Sequence, residues 1–279
     1  MIKELRAFLT SSRLVLAAFT MLMLVIAAAL LGPELSAWDP EVMDWDALEA
    51  PPSATHWFGT DLIGRDLFVR TMEGARVSFT VSIIAVTVSL SIGIPWGAAA
   101  GLIGGRTDQL MMRIVDGIYC LPGILIVILL VVLFGRNQYL LFAALGAISW
   151  LTLARIVRGQ TLRLRNAPFV EAARTMGFGT RHILRHHVIP NVVGPVVVYT
   201  TLAIPGVILA ESFISFLGLG IQEPDTSWGV LVSDGTQAME SSPWLLIFPG
   251  SCLAITIWCF NTLGDRLRDH LDNATSRRS

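Results

Sequence analysis

Six separate stretches of this chain are apolar over about 18 residues or more, the length a helix rising 1.5 Å per residue needs to cross a hydrocarbon layer roughly 30 Å thick. They run from Leu14 to Leu31, Val77 to Ile103, Ile114 to Phe134, Tyr139 to Val157, Val192 to about Leu217, and Trp244 to Leu263. A segment in lipid must satisfy its backbone hydrogen bonds internally, so each run is expected to be a helix and the fold an all-α membrane bundle of six transmembrane helices. Composition agrees. Of the 279 residues 53% are hydrophobic and 15% charged, against roughly a quarter charged in soluble domains.

Lys3 and Arg6 precede the first run, and Leu35-Ser36-Ala37 resembles a signal-peptide cleavage site. The apolar core is long for a cleaved signal, so this run is expected to remain as a span. Orientation follows from the basic residues between runs. With the N-terminus inside, sixteen of the twenty Lys and Arg lie on the cytoplasmic side. Only Arg65, Arg70, Arg76 and Arg136 lie outside, and thirteen of the twenty-one acids fall in the outer loops 32–76 and 216–243. Both termini are therefore expected in the cytoplasm, in a multi-pass protein of the plasma membrane.

The expected organisation is a cytoplasmic start and first helix over 1–31, an extracytoplasmic loop over 32–76, five core helices over 77–264, and a cytoplasmic tail over 265–279. Within the outer loop, Phe58, Leu62, Phe68, Val69 and Met72 are spaced as in a short amphipathic segment lying on the membrane surface. Gly93 and Pro95, Pro122 and Gly123, and Pro205 and Gly206 weaken three of the spans at depth. Small residues recur at helical spacing around Gly97 to Gly105 and Ala143 to Ala147, which permits close helix approach. Cys120, Cys252 and Cys259 fall inside runs and read as apolar filler.

The stretch richest in chemistry is the inner loop 158–190. It contains NAPFVEAARTMG over residues 166–177, then FGTRHILRHHVIPN. Asn166 is a good N-cap, Pro168 suits a first turn, Glu171 sits in the N-terminal half, and Gly177 is placed to end the helix. Phe169, Ala172, Ala173 and Met176 fall at i, i+3, i+4 and i+7, one apolar stripe. Outside the bilayer, such a stripe must pack on its own bundle or in a partner's groove.

Glu171, Ala172 and Ala173, then Gly177 after three intervening residues and Pro190 further along, resemble the cytoplasmic coupling loop of ABC-importer permeases. The match departs at His187, where the pattern has Ile, and at Ile189, where it has Leu. The motifs FGTDLIGRD (58–66), GARVS (74–78), GGRTD (104–108), SFLGLGI (215–221), WG (228–229) and NTLGDRLRD (261–269) look like the second permease of peptide and nickel importers. The resemblance implies a type I importer bundle with a peripheral first helix. It implies a related permease as partner, two cytoplasmic ATPase subunits carrying ATP and Mg, and an extracytoplasmic solute-binding protein. It also implies that the short helix docks on the ATPase, with Glu171 meeting a basic or polar group. The implied substrate is a di- or oligopeptide, with nickel or another small chelate as the alternative.

Other classes find less support. No G-x-x-x-x-G-K-[ST] occurs, so the chain itself carries no ATP phosphate loop. A secondary transporter calls for midplane ion-coupling carboxylates and usually an internal repeat, neither evident. H-E-x-x-H and G-x-S-x-G are absent, so no catalytic residue, cofactor or metal is expected in this chain, nor a nucleic-acid partner. His182 and His186, four apart, lack an obvious third metal ligand. Glu211, an intramembrane carboxylate, is expected to serve a gate or helix packing near the outer mouth, with substrate contact and snorkelling as other readings. Asp116 is expected to form a structural ion pair, with Arg113 or with another helix. Asp61, Arg65 and Asp66 organise the outer segment or face a solute-binding protein.

Overall fold

A computed structural model of the chain describes residues 12–135 and 137–276, with side chains through Leu271. Lys3, Arg6, Arg136, Arg277 and Arg278 of the charge count lie outside the described residues. The helices are α1 (Arg13–Leu35), α2 (Leu67–Ile103), α3 (Gly105–Tyr119), α4 (Gly123–Phe134), α5 (Gln138–Leu164), α6 (Pro168–Thr175), α7 (Thr180–Phe216), α8 (Trp228–Gln237) and α9 (Trp244–Ser276). Among the described residues five, α1, α2, α5, α7 and α9, are long and apolar enough to cross a membrane.

The third expected span is not one helix. It is the pair α3 and α4, bent by 75°. Pro122 has no N–H to donate and biases Leu121 away from helical geometry, which breaks the run between Tyr119 and Gly123. The twelve residues of α4 rise only about 18 Å, too short to cross alone. Cys120 consequently sits exposed at the bend, not inside a helix. Pro95 and Pro205, by contrast, stay within α2 and α7.

Over the described residues 57–76 no separate amphipathic helix forms. Asp66 caps α2 by accepting from the Val69 N–H at 2.9 Å, and the helix then continues unbroken through 37 residues. Leu67, Val69 and Met72 are buried against the protein, not spread on a membrane surface. The preceding segment is tied down by polar contacts. Asp66 Oδ2 meets His56 Nδ1 at 2.9 Å, and Arg65 bridges Asp61 at 2.7 Å and Glu223 at 2.9 Å.

The centre of the bundle is α2 against α5. The backbones approach through Gly93, Gly97 and Gly101, four residues apart. A Cβ at Gly93 would lie 3.0 Å from Leu153, one at Gly97 would collide with the Ala154 carbonyl, and one at Gly101 would lie 2.7 Å from Thr161. From the other side, Gly146 sits where a Cβ would be 2.7 Å from the Ala85 carbonyl. The small-residue stripes thus pack within the chain. A bidentate pair, Arg158 Nε and Nη2 to the Asp108 carboxylate at 2.6 and 2.7 Å, joins the C-terminal part of α5 to the start of α3.

Helix α1 lies at the edge, packing Ala18 and Leu22 against Cys259 of α9 and Ala29 against Ala75 of α2, while Leu14, Met23, Leu24, Leu30 and Leu31 face outward. Pro33 deprives the Ala29 carbonyl of its helical donor. Arg76 of α2 replaces it, its Nε donating to that carbonyl at 2.6 Å and its Nη2 to Leu30 at 2.6 Å.

Candidate coupling surface and substrate cavity

The short helix expected between the fourth and fifth apolar runs is present over Pro168–Thr175. Its cap lies one residue later than the sequence indicates: Ala167, at ψ 144°, is the boundary, and it offers no side-chain bond. Pro168 accounts for the shift, because the residue before a proline is held extended and proline fits the first helical position. Glu171 occupies the first turn, where a carboxylate complements the helix dipole, and is exposed. The C-terminus closes with Gly177 at φ +83°, its N–H donating to Arg174 at 2.9 Å and the Phe178 N–H to Ala173 at 3.1 Å, a Schellman reversal.

The single apolar stripe divides into two faces. Val170 and Ala173 are fully buried in the chain's own core with Leu102, Val157, Ile183 and Val188. Phe169, Ala172 and Met176 point outward, Phe169 40% and Met176 67% exposed. Ala173 therefore belongs to the anchoring face and is unavailable to a partner. Phe178, 42% exposed just past the turn, joins the outward set. Sequence reasoning missed both Val170 and Phe178: Val170 lies off the stripe, and Phe178 lies beyond the glycine where helical counting stops.

Next to this face, Phe178, His182 and His186 stack in a column, with ring centroids 4.4 and 4.2 Å apart. The two histidines four residues apart thus stack on one another, and His186 Nδ1 meets the His182 carbonyl at 3.2 Å. His187, the departure from the family pattern, lies with its ring 6.3 Å from Phe169. Helix α7 takes a π-turn over Leu184–Val188 before Pro190. Arg163, Arg165, Arg174, Arg181 and Arg185 flank the outward face in sequence, so the apolar residues lie in a basic stretch of the chain.

A cavity of about 710 Å³ opens where the α3–α4 bend faces α5 and α7. Its polar lining comes from Tyr119, Cys120, Ser149, Thr152 and Tyr199, and the rest is aliphatic or glycine; no charged side chain is among its described lining residues. Asp116 pairs with Arg155 of α5 at 2.8 Å, not with Arg113 of its own helix, and the Arg155 guanidinium lies 4.1 Å over the Tyr119 ring. The pair holds the α3 limb of the bend to α5.

Glu211 is fully buried, so snorkelling is ruled out. Ser215 Oγ and Ser227 Oγ donate to its Oε1 at 2.6 and 2.7 Å. The Ser78 and Ser212 hydroxyls stand beside the same carboxyl without completing a hydrogen bond. It is absent from the cavity lining, which along α7 runs from Tyr199 to Ala210.

Residues 93–277, spanning the glycine contacts, the bend, the short helix and α9, match the model of a family described as binding-protein-dependent transport system inner membrane component. The chain belongs to this family. Among its curated relatives are the oligopeptide transport system permease proteins OppC of Haemophilus influenzae, 51% identical over 93% of this chain and 82% of the relative, and of Escherichia coli K12, 46% identical over 94% and 87%. The dipeptide transport system permease protein DppC of Bacillus subtilis is 44% identical over 95% and 83%. Among solved structures, a chain of the inward-facing MetNI methionine ABC transporter matches 73% of this chain and 95% of its own length at TM-score 0.57 and 18% identity. That likeness shows that the two chains share a fold. As an inner-membrane transport component, the chain is a non-catalytic membrane subunit, consistent with its five apolar spans and its bent pair.

Proposed function

We propose that this chain forms half of the translocation pathway of an ATP-driven importer of di- or oligopeptides. A related permease supplies the other half, two cytoplasmic ATPase subunits bind ATP and Mg, and a solute-binding protein delivers substrate from outside. The observation that carries the reading is the outward face of α6. Val170 and Ala173 fix the helix to the bundle, while Phe169, Ala172 and Met176 stand exposed within an arginine-rich stretch of the chain. Such a helix fits a groove, and because its back is packed on α2, α5 and α7 a push on its exposed face moves the bundle. Closure of the ATPases on ATP shifts Phe169 to Gly177, and the cavity alternates its access. Glu171 meets a basic or polar group at the groove's edge.

Peptide as substrate rests on the identity to oligopeptide and dipeptide permeases over most of the chain. It is supported by the uncharged cavity, whose tyrosine and hydroxyl groups meet a peptide backbone without discriminating the charge of side chains. The test is uptake by proteoliposomes holding the full complex and its binding protein. ATP-dependent accumulation of labelled peptide, with none of nickel ion or chelate, is the expected result. Accumulation of nickel alone, or uptake driven by an ion gradient without ATP, contradicts the proposal.

A further inference from the structure

A buried carboxyl needs partners for its oxygens, since desolvating it without them is costly. The hydrogen-bond partners of Glu211 are serine hydroxyls, not a cation: Ser215 on α7 itself and Ser227 at the start of α8 both donate to Oε1, while Ser78 of α2 and Ser212 of α7 stand beside the carboxyl without bonding to it and Oε2 has no partner among the described residues. Ser227 has one hydroxyl proton. It gives that proton to Glu211 Oε1 at 2.7 Å and accepts from the Val230 N–H at 3.3 Å as the N-cap of α8. The carboxyl therefore orients the hydroxyl that caps the next helix.

The surroundings leave no room for a looser arrangement. A Cβ at Gly229 would collide with the Ser212 backbone, and one at Gly74 would lie 3.1 Å from the backbone of Ser227 and Trp228. Trp228, fully buried, donates its indole N–H to the Thr71 carbonyl at 3.1 Å. The loop between α7 and α8 is held a second time from the surface by the Arg65–Glu223 pair at 2.9 Å. Along α7 the cavity lining ends at Ala210, one residue before this carboxyl.

We infer that Glu211 is the latch of the outer gate. Resting on the reading of this chain as half of a pathway, the proposal is that its bond to Ser227 holds α8 and the loop 217–227 across the outer end of the cavity, and that outward opening requires this bond to break. Glu211 is a positioning residue, touching no substrate.

The test uses the whole transporter in intact cells, in a version freed of native thiols (C120A, C252A, C259A) with Ala210→Cys as reporter and a membrane-impermeant thiol reagent added outside. Without binding protein the reporter should react slowly when the latch is intact. Glu211→Ala should speed labelling at least roughly tenfold, as loss of hydrogen bonds to a buried carboxyl shifts an equilibrium. Glu211→Gln, whose amide oxygen still accepts from Ser215 and Ser227, should stay near the starting rate, and Ser227→Ala should fall between. Assembled Glu211→Ala and Ser227→Ala complexes that label no faster than the parent overturn the latch, as does Glu211→Gln labelling as fast as Glu211→Ala. Should Glu211→Ala fail to assemble, Ser227→Ala decides, since it leaves the Ser215 bond in place. Peptide uptake by the transporter with its native sequence is measured in parallel: its absence counts against the pathway reading, whereas uptake together with an unresponsive reporter counts against the latch alone.

Discussion

The Phe178 N–H donates to the Ala173 carbonyl at 3.1 Å, so the residue that leaves the inner helix is bonded to the residue that anchors it. This bond requires Gly177 at φ +83°, and nothing lies within 4 Å of where a Cβ there would be. The glycine is thus needed for its backbone and not for space. Gly177→Ala should cost about 1 kcal/mol in the left-handed region and slow transport, while Gly177→Asn, which tolerates that region, should retain more activity despite its bulk. Equal transport by both variants would argue that the reversal is not required.

The two faces of the helix should separate in mutants. Ala173→Leu overfills the chain's own core and should destabilise the permease by roughly 1–3 kcal/mol, read as a lower melting temperature of the purified complex. Phe169→Ala with Met176→Ala removes only exposed groups. It should leave melting unchanged and cut ATP hydrolysis stimulated by the binding protein at least about tenfold, the size of effect lost with a buried interface anchor.

Arg76 substitutes for a hydrogen bond that Pro33 removes from the Ala29 carbonyl. Arg76→Met should cost about 1–2 kcal/mol of stability, discounted because the side chain is part exposed. In a Pro33→Ala background, where the helix again supplies its own donor, the same change should cost markedly less. Thermal denaturation of the four corners of this cycle measures the coupling.

The uncharged cavity carries its own expectation. Gly206 lines it with open space around the position of a Cβ. Gly206→Asp should slow uptake of acidic peptides several-fold relative to basic ones, since like charges in a low-dielectric cleft repel. Unchanged relative rates would place the peptide's route elsewhere.

Much of this was legible in the chain itself. The apolar runs and the capped EAA segment announce a membrane bundle with an exposed inner helix, because length against bilayer thickness and helical spacing are local properties. The α3–α4 bend was harder to see: Pro122 was marked as a weak point, but so were Pro95 and Pro205, and only packing decides which proline breaks its helix. The division of the stripe was also hidden, since Val170 and Ala173 become the anchoring pair only once α2, α5 and α7 supply a surface. Glu211 could be flagged as an intramembrane carboxylate, yet Ser227, which bonds to it, lies beyond the end of its helix and Ser78, which stands beside it, lies on a distant one, and nothing local announces that they meet.

The most direct test of the account is a crosslink from the outward face of the inner helix. With Met176→Cys in a thiol-free permease and a second cysteine in the groove of the co-expressed ATPase, a disulfide whose yield changes with ATP is the expected result, alongside transport lost in Glu171→Ala. Peptide uptake at full rate with no crosslink from Met176, Phe169 or Ala172 in any nucleotide state would contradict the claim that this helix couples ATP to transport.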